Sequence, residues 1–188
     1  MKEIFLRNTP EDNDGRLETY PHFEIIEHLA RWIKPINYLE IGVRHGTTYN
    51  LVKNHAKNCF LVDVDFLDLD YSDNTIKFEM TSDSFFGCFD ESIKFCLAFI
   101  DGDHSKEQVL KDFMNVKDRV IDDGFVILHD TYPCDTRMED PGFSGDAWKT
   151  ALYIKQNFIN DWEIITLPFN PGLTIMKKMK INKQLLWK

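Results

Sequence analysis

Tyr38-Leu39-Glu40-Ile41-Gly42-Val43-Arg44-His45-Gly46-Thr47-Thr48 decides the fold. An apolar run, read as a strand over Tyr38–Val43, passes to a helical pattern over Thr47–Ala56 through a turn with glycines at 42 and 46. Gly42 lets the backbone turn sharply and lets a ligand approach it. Gly46 can open the helix, whose first amides attract an anionic group. The spacing is Gly-x-x-x-Gly and lacks the middle glycine of the dinucleotide fingerprint, which argues against close contact with a pyrophosphate. Glu40, near the end of the strand, would repel phosphate but would suit an ammonium group or ribose hydroxyls.

The same handover from strand to helix repeats on both sides of this turn. Further strand-like runs occur at Cys59–Val64, Thr75–Met80, Phe95–Ile100 and Phe125–Leu128. Helical patterns fall at Ser84–Ile93 and at Ser105–Val120, where Val109, Phe113, Val116 and Val120 form one stripe. Phe66–Asn74, with Asp68, Asp70 and Asp73, reads as a solvated loop. Upstream, Pro21 opens a helix with apolar residues at Phe23, Ile26, Ala30 and Ile33, and Pro35 ends it. Short apolar strands separated by helices indicate a parallel sheet covered on both faces. The end of the chain breaks the alternation. A helix over Asp146–Phe158 precedes strands at Trp162–Leu167 and Leu173–Met176, joined only by Pro168–Gly172. A parallel crossover needs a dozen or more residues, so this pair is expected to be an antiparallel hairpin. The expected fold is a Rossmann-like α/β three-layer sandwich.

The chain has 188 residues, enough for one domain with a substantial core. The domain is expected over 21–176, with a polar arm or lid at 1–20 that could cover the pocket of a homodimer mate. Residues 177–188 hold five lysines and no acid, and read as a solubilising tail. The net charge of −9 disfavours phosphate backbones and anionic lipid as partners. No apolar run reaches the ~18 residues that a membrane span needs. Met1–Gly15 lacks the apolar core of a signal peptide. Cys59, Cys88, Cys96 and Cys134 show no metal spacing, and three of them fall in or beside apolar segments as small core residues. A reducing cytoplasm is the expected setting.

The second strand ends in Leu61-Val62-Asp63-Val64-Asp65. A carboxylate here, after a glycine turn, can hold a ribose diol, and Asp63 fits that place better than Asp65. Together Gly42, Gly46 and Asp63 imply a nucleoside-binding crevice. Glu-x-Gly-x-x-x-Gly, the acid ending the second strand, and Thr81-Ser82-Asp83-Ser84 after the third resemble the class I S-adenosylmethionine-dependent methyltransferases. The resemblance covers about residues 37–176 and implies a seven-stranded sheet of order 3-2-1-4-5-7-6. It places Glu40 and Gly42 by the methionine moiety, Asp63 on the ribose, and Ser82 and Asp83 near the adenine. Gly46 and Asp101 complete the cofactor-binding set.

The densest chemistry is Ala98-Phe99-Ile100-Asp101-Gly102-Asp103-His104-Ser105, echoed by Ile127-Leu128-His129-Asp130-Thr131. Adjacent parallel strands put both clusters at one carboxyl edge, where open α/β sheets place ligands. Asp101 and Asp130 offer hard oxygen ligands to a divalent ion, and His129 is either a third ligand or an orienter of Asp130. A histidine such as His104 can accept a proton near neutral pH. Alternatively, Asp103 and Ser105 cap the following helix.

Phe99-Ile100-Asp101-Gly102-Asp103-His104-Ser105 and Gly124–Thr131 are similar to a narrower branch. This is the small metal-dependent O-methyltransferases of the macrocin O-methyltransferase and cephalosporin hydroxylase-like group. The resemblance implies a divalent metal, Mg or Mn, on Asp101, His129 and Asp130. It implies a general base at Asp103 or His104, and a small-molecule hydroxyl of sugar or natural-product type as acceptor. His129 departs from the carboxylate common there, and imidazole suits Mn, Fe, Ni or Zn better than Mg.

Thr131–Gly145 is long for a loop inside a compact domain and carries Tyr132, Arg137, Met138 and Phe143, with Trp148 following. It is either an acceptor-binding lid or a surface loop anchored by Trp148. Phe85, Phe86 and Phe89 read as core. Two rival functions remain: a metal-dependent hydrolase, which would leave the glycine turn and Asp63 without a task, and a non-catalytic nucleoside-binding domain.

Overall fold

Strand parity sorts the apolar residues into two cores, one on each face of a sheet. The computed structural model describes residues 21–180; the expected arm at 1–20 and the end of the tail, 181–188, lie outside the described residues. The strands are β1 (Asn37–Ile41), β2 (Asn58–Asp63), β3 (Thr75–Glu79), β4 (Phe95–Ile100), β5 (Val120–His129), β6 (Trp162–Leu167) and β7 (Leu173–Lys178). The α-helices are α1 (His22–Ile33), α2 (Thr47–Val52), α3 (Ser82–Cys88), α4 (Lys106–Lys117) and α5 (Trp148–Asn157). Leu39, Ile41, Phe60, Val62, Ala98, Ile100, Val126 and Leu128 pack against α3, α4 and α5 through Phe85, Val109, Phe113, Val116 and Ile154. The alternate residues Tyr38, Cys59, Leu61, Leu97, Phe99 and Ile127 pack against α1 and α2 through Ile26, Ala30, Tyr49 and Val52. Side chains alternate across a strand, so both faces must be apolar when helices cover both.

The sheet order is β3-β2-β1-β4-β5-β7-β6. β1 to β5 pair in parallel, and β7 is antiparallel to both β5 and β6. The expected hairpin is therefore present. Its loop is held by Tyr132, whose N–H donates to the Pro171 carbonyl at 2.8 Å.

Several boundaries moved. Val120 belongs to β5 rather than to the end of α4, because it pairs with Phe95, while Phe125 pairs with Leu97. The intervening residues form an irregularity with Asp123 at φ 62°, which hydrophobic spacing alone does not reveal. α2 and α3 stop after two turns or fewer, and Phe89 leaves α3 with extended backbone while still packing on the core. Of the four thiols only Cys59 is buried; Cys88 is exposed and Cys96 and Cys134 are intermediate, so the reading of three core cysteines is corrected. Burial pushes the Cys59 thiol up to about 12, which leaves it inert.

The ends of β1 and β4 meet at Gly42. Its φ is +83°, and a Cβ there would lie 2.1 Å from the Asp101 carbonyl oxygen. The Gly42 N–H donates to Val62 and the Asp101 N–H to Ile41, so three strand ends are locked side by side. Gly42→Ala is therefore expected to lower unfolding free energy by at least ~2 kcal/mol in urea melts. Gly87→Ala, in α3 with open space at the Cβ position, should raise it by ~0.5–1 kcal/mol.

Candidate active site

A cleft of about 1100 Å³ opens along the carboxyl edge of the sheet. Glu40, Gly42, Asp63, Ser82, Asp83, Asp101, Asp103, His104, His129 and Asp130 all line it. Gly46 is not among the lining residues. It caps α2 from a left-handed conformation, and a Cβ there would meet the Leu69 side chain. Strand parity explains part of the gathering. Asp101 continues the Leu97, Phe99 series and His129 the Phe125, Ile127 series, so both fall on the α1 side of the sheet.

Asp63 is engaged with the protein itself. Its Oδ2 accepts the N–H groups of Val43 at 2.6 Å and Arg44 at 2.9 Å, and its Oδ1 accepts the Asp65 N–H at 3.3 Å. The carboxylate thus fastens the glycine turn to the end of β2. Arg44 in that turn adopts a left-handed φ of 46°. At the far end of the cleft, Asp83 accepts from Lys111 and Gln108, and these partners hold its carboxyl below the usual range. Gln108 also donates to Ser82 at 3.1 Å and to buried Asp112 at 3.1 Å. Burial raises the Asp112 carboxyl to about 6.

Glu40 lies at the cleft floor, 1% exposed, and accepts a 2.7 Å hydrogen bond from the Tyr38 hydroxyl. Burial raises its carboxyl to about 8; the Tyr38 bond offsets part of this and the charge of Asp101 adds to it. Near neutral pH it is mostly a neutral acid, ready to ionise beside a cationic ligand.

The carboxylates and histidines converge above β4 and β5. The His129 Nδ1 donates to Asp101 Oδ1 at 2.9 Å and lies 3.3 Å from Asp130 Oδ2. Burial acts to lower the His129 pKa, but the two carboxylates outweigh it and hold the ring up to about 10. Burial likewise acts to raise Asp130, but the hydrogen bond and charge of His129 and the charge of His104 keep it below its ordinary value. Asp130 adopts a left-handed φ of 59°, an uncommon conformation that asparagine and aspartate tolerate best. The His104 Nε2 lies 3.2 Å from Asp130 Oδ2, while Nδ1 donates to the Phe143 carbonyl. With Nδ1 committed to that carbonyl, Nε2 is the ring nitrogen turned toward Asp130. Asp101, His104 and Asp130 present ligand atoms close enough to share one ion, and so do His22, Asp101 and His129. The donor set therefore fits a divalent cation.

Asp103 does what a helix cap does. Its Oδ1 accepts the Ser105 N–H at 2.7 Å, Ser105 in turn caps α4, and these bonds lower the Asp103 carboxyl. In the Thr131–Gly145 loop, Met138 and Phe143 line the cleft. Arg137 is paired with Asp135 at 2.7 Å and does not line it. Trp148 opens α5 and also lies outside the lining. His22 was missed by sequence reading. It sits on the first turn of α1, its ring centroid 3.9 Å from that of His129. No local pattern flags a histidine after a helix-opening proline.

Residues 39–131, about half of the chain, match the family described as methyltransferase domain. No curated protein sequence matches the chain. Among solved structures, the O-methyltransferase TomG of Streptomyces achromogenes, in complex with SAM, has a TM-score of 0.69 at 12% identity, covering 87% of this chain and 82% of that one. The O-methyltransferase of Bacillus cereus, in complex with SAH, has a TM-score of 0.65 at 14% identity, covering 86% and 82%. SAH-bound PaMTH1 of Podospora anserina has a TM-score of 0.66 at 13% identity, covering 87% and 80%. At such identities these likenesses establish the fold. Fold and family match together define a class I S-adenosylmethionine-dependent methyltransferase. Among the described residues no helix is long and apolar enough to cross a membrane.

The Glu40 carboxyl gives a pH signature. Its value is 4.5 when exposed and about 8 here, so burial costs nothing at low pH, where it is neutral in both states. The penalty grows as pH rises from 4.5 to 8 and is constant above. In the ligand-free protein, Glu40→Gln should match the wild type in urea melts at pH 4.5 and exceed it at pH 8 by on the order of 3 kcal/mol.

Proposed function

We propose that this chain transfers the methyl group of S-adenosylmethionine to a hydroxyl oxygen of a small molecule, with the assistance of a divalent metal. The observation that carries the reading is that the glycine turn after β1 and the Asp101–His104–His129–Asp130 cluster share one cleft. A methyl donor over the turn and an oxygen near the cluster would then be neighbours. Positioning of this kind can supply ~7–11 kcal/mol of the barrier.

A cation held by Asp101, His129 and Asp130 would supply Lewis acidity, lowering the pKa of the acceptor hydroxyl. His104 is favoured over Asp103 as the base. Its Nδ1 is committed to the Phe143 carbonyl, which leaves Nε2 to take the proton, and Asp130 stabilises the imidazolium that forms. Asp103 is a weaker base because Ser105 already occupies one oxygen. Glu40 and Asp63 support the donor side: one offers a carboxyl at the floor, the other fixes the turn. Met138 and Phe143 provide an apolar wall that suits a sugar or aromatic ring. The net charge of −9 supports a small acceptor rather than a nucleic acid. Free thiols support a cytoplasmic setting, and residues 21–176 are assigned as the catalytic domain.

Methyl transfer from labelled S-adenosylmethionine to a panel of sugar and phenolic hydroxyls tests this reading. Transfer to oxygen is expected, with chelator-sensitive turnover. His104→Ala should lower kcat by ~10²–10⁴-fold, and Asp103→Ala should lower it far less. Full turnover by the Asp101→Ala and Asp130→Ala proteins in chelator would remove the metal from the mechanism. Absence of S-adenosylhomocysteine binding would remove the methyl transfer itself.

A further inference from the structure

We propose that Gln108 and Asp112, on α4, read the base of the methyl donor. Asp112 holds the Gln108 amide so that its Oε1 faces the cleft, accepts the exocyclic amino group of an adenine and rejects a 6-oxo purine. This deepens the methyltransferase reading above and rests on it. With the sulfonium methyl beside the Asp101–His104 cluster, the base extends from the ribose toward the opposite end of the same cleft. That end is lined by Met80, Thr81, Ser82 and Asp83 from the β3–α3 junction and by Gln108 and Asp112 from α4.

The Gln108 Nε2 is surrounded by acceptors. It donates to Ser82 Oγ and to Asp112 Oδ1, each at 3.1 Å, and to Asp83 Oδ1 at 3.3 Å. An amide nitrogen has two protons, so three acceptors saturate it. Among the described residues every hydrogen bond of this side chain runs through Nε2, which leaves Oε1, at the other tip of the amide, free to accept. Asp112 lines the cleft yet is 1% exposed. Burial pushes its carboxyl up to about 6; the hydrogen bonds of Ser82 and Gln108 oppose the shift, and the charges of Asp83 and Asp103 add to it. The Asp83 and Asp103 carboxyls are themselves held below the usual range, one by Lys111 and Gln108, the other by Ser105. Above its own value the Asp112 carboxylate can only accept, so it keeps Nε2 inward and Oε1 toward the cleft. Below it, the acid has a proton to donate, and the Gln108 amide can turn to accept it and present its amino group instead. Adenine offers an amino group at this position where a 6-oxo purine offers a carbonyl, so the two orientations favour opposite bases.

The competing explanation is that Gln108 and Asp112 only tie α4 to α3. Asp112→Asn separates the two, because it keeps size and polarity and removes the acceptor-only charge. Affinities of the full-length protein for S-adenosylhomocysteine and S-inosylhomocysteine, which differ only at the base, would be measured by calorimetry on either side of the Asp112 value, at about pH 7.5 and about pH 5. Far-UV circular dichroism on the same samples checks the fold. The ratio of the two affinities cancels pH effects on the shared part of the ligands, those of Glu40 included. The wild type should prefer the adenine ligand by ~10–100-fold at the higher pH and lose most of that preference at the lower. Asp112→Asn should show the reduced ratio at both pH values with the fold retained. Gln108→Leu should lower the ratio by weakening S-adenosylhomocysteine alone. An unchanged ratio in Asp112→Asn would overturn the inference, as would a wild-type ratio that does not fall with pH. Those results leave the methyltransferase reading standing; a wild type that binds no S-adenosylhomocysteine at all sinks that reading and this inference with it.

Discussion

Everything at the catalytic edge depends on how closely the backbone of β1 approaches that of β4. Gly42 has no side chain where a Cβ would fall 2.1 Å from the Asp101 carbonyl oxygen. That contact brings the glycine turn and the Asp101 end of β4 together in one cleft. A bulkier residue would force the strand ends apart, and the cleft would split into two unrelated surfaces. The hydrogen bonds from Gly42 to Val62 and from Asp101 to Ile41 extend the constraint across three strands. The turn therefore does mechanical work before any ligand arrives.

Charge is arranged around that constraint. Glu40, Asp63, Asp101 and Asp130 crowd one edge, and each is accommodated differently. Glu40 is neutralised by burial, with Tyr38 donating to it. Asp63 spends its charge on the amides of Val43 and Arg44. Asp101 and Asp130 share the His129 proton, which holds that ring up to about 10. A site so rich in carboxylate favours cationic ligands. Because the dipoles and charges are already oriented, little reorganisation is needed when charge develops on an acceptor oxygen.

Much of the architecture was legible in the residues. Apolar runs at 38–43, 59–64, 75–80 and 95–100 fell within a residue or two of β1 to β4, because buried parallel strands are nearly continuous in hydrophobicity. The short Pro168–Gly172 link allowed only a hairpin, and the hairpin is there. The start of β5 was misread because Val120 continues the apolar stripe of α4 and then turns into the sheet; spacing cannot mark the point where one period replaces another. Asp63 lines the cleft, but its partners were not foreseen. Hydrogen bonds to Val43 and Arg44 depend on the path of a turn in a different unit of the chain.

The amino-acid order alone determined the layers, the closing hairpin and the edge that bears the chemistry. Those follow from local periodicity and from connection lengths, which neighbouring residues set. Only the folded chain decided which side chains meet: His22 over His129, Arg137 held by Asp135 away from the cleft, Asp103 capping while His104 faces Asp130. Such meetings join residues from separate elements, and their geometry is fixed by packing across the sheet. Packing is a property of the whole interior, so no short window of sequence contains it.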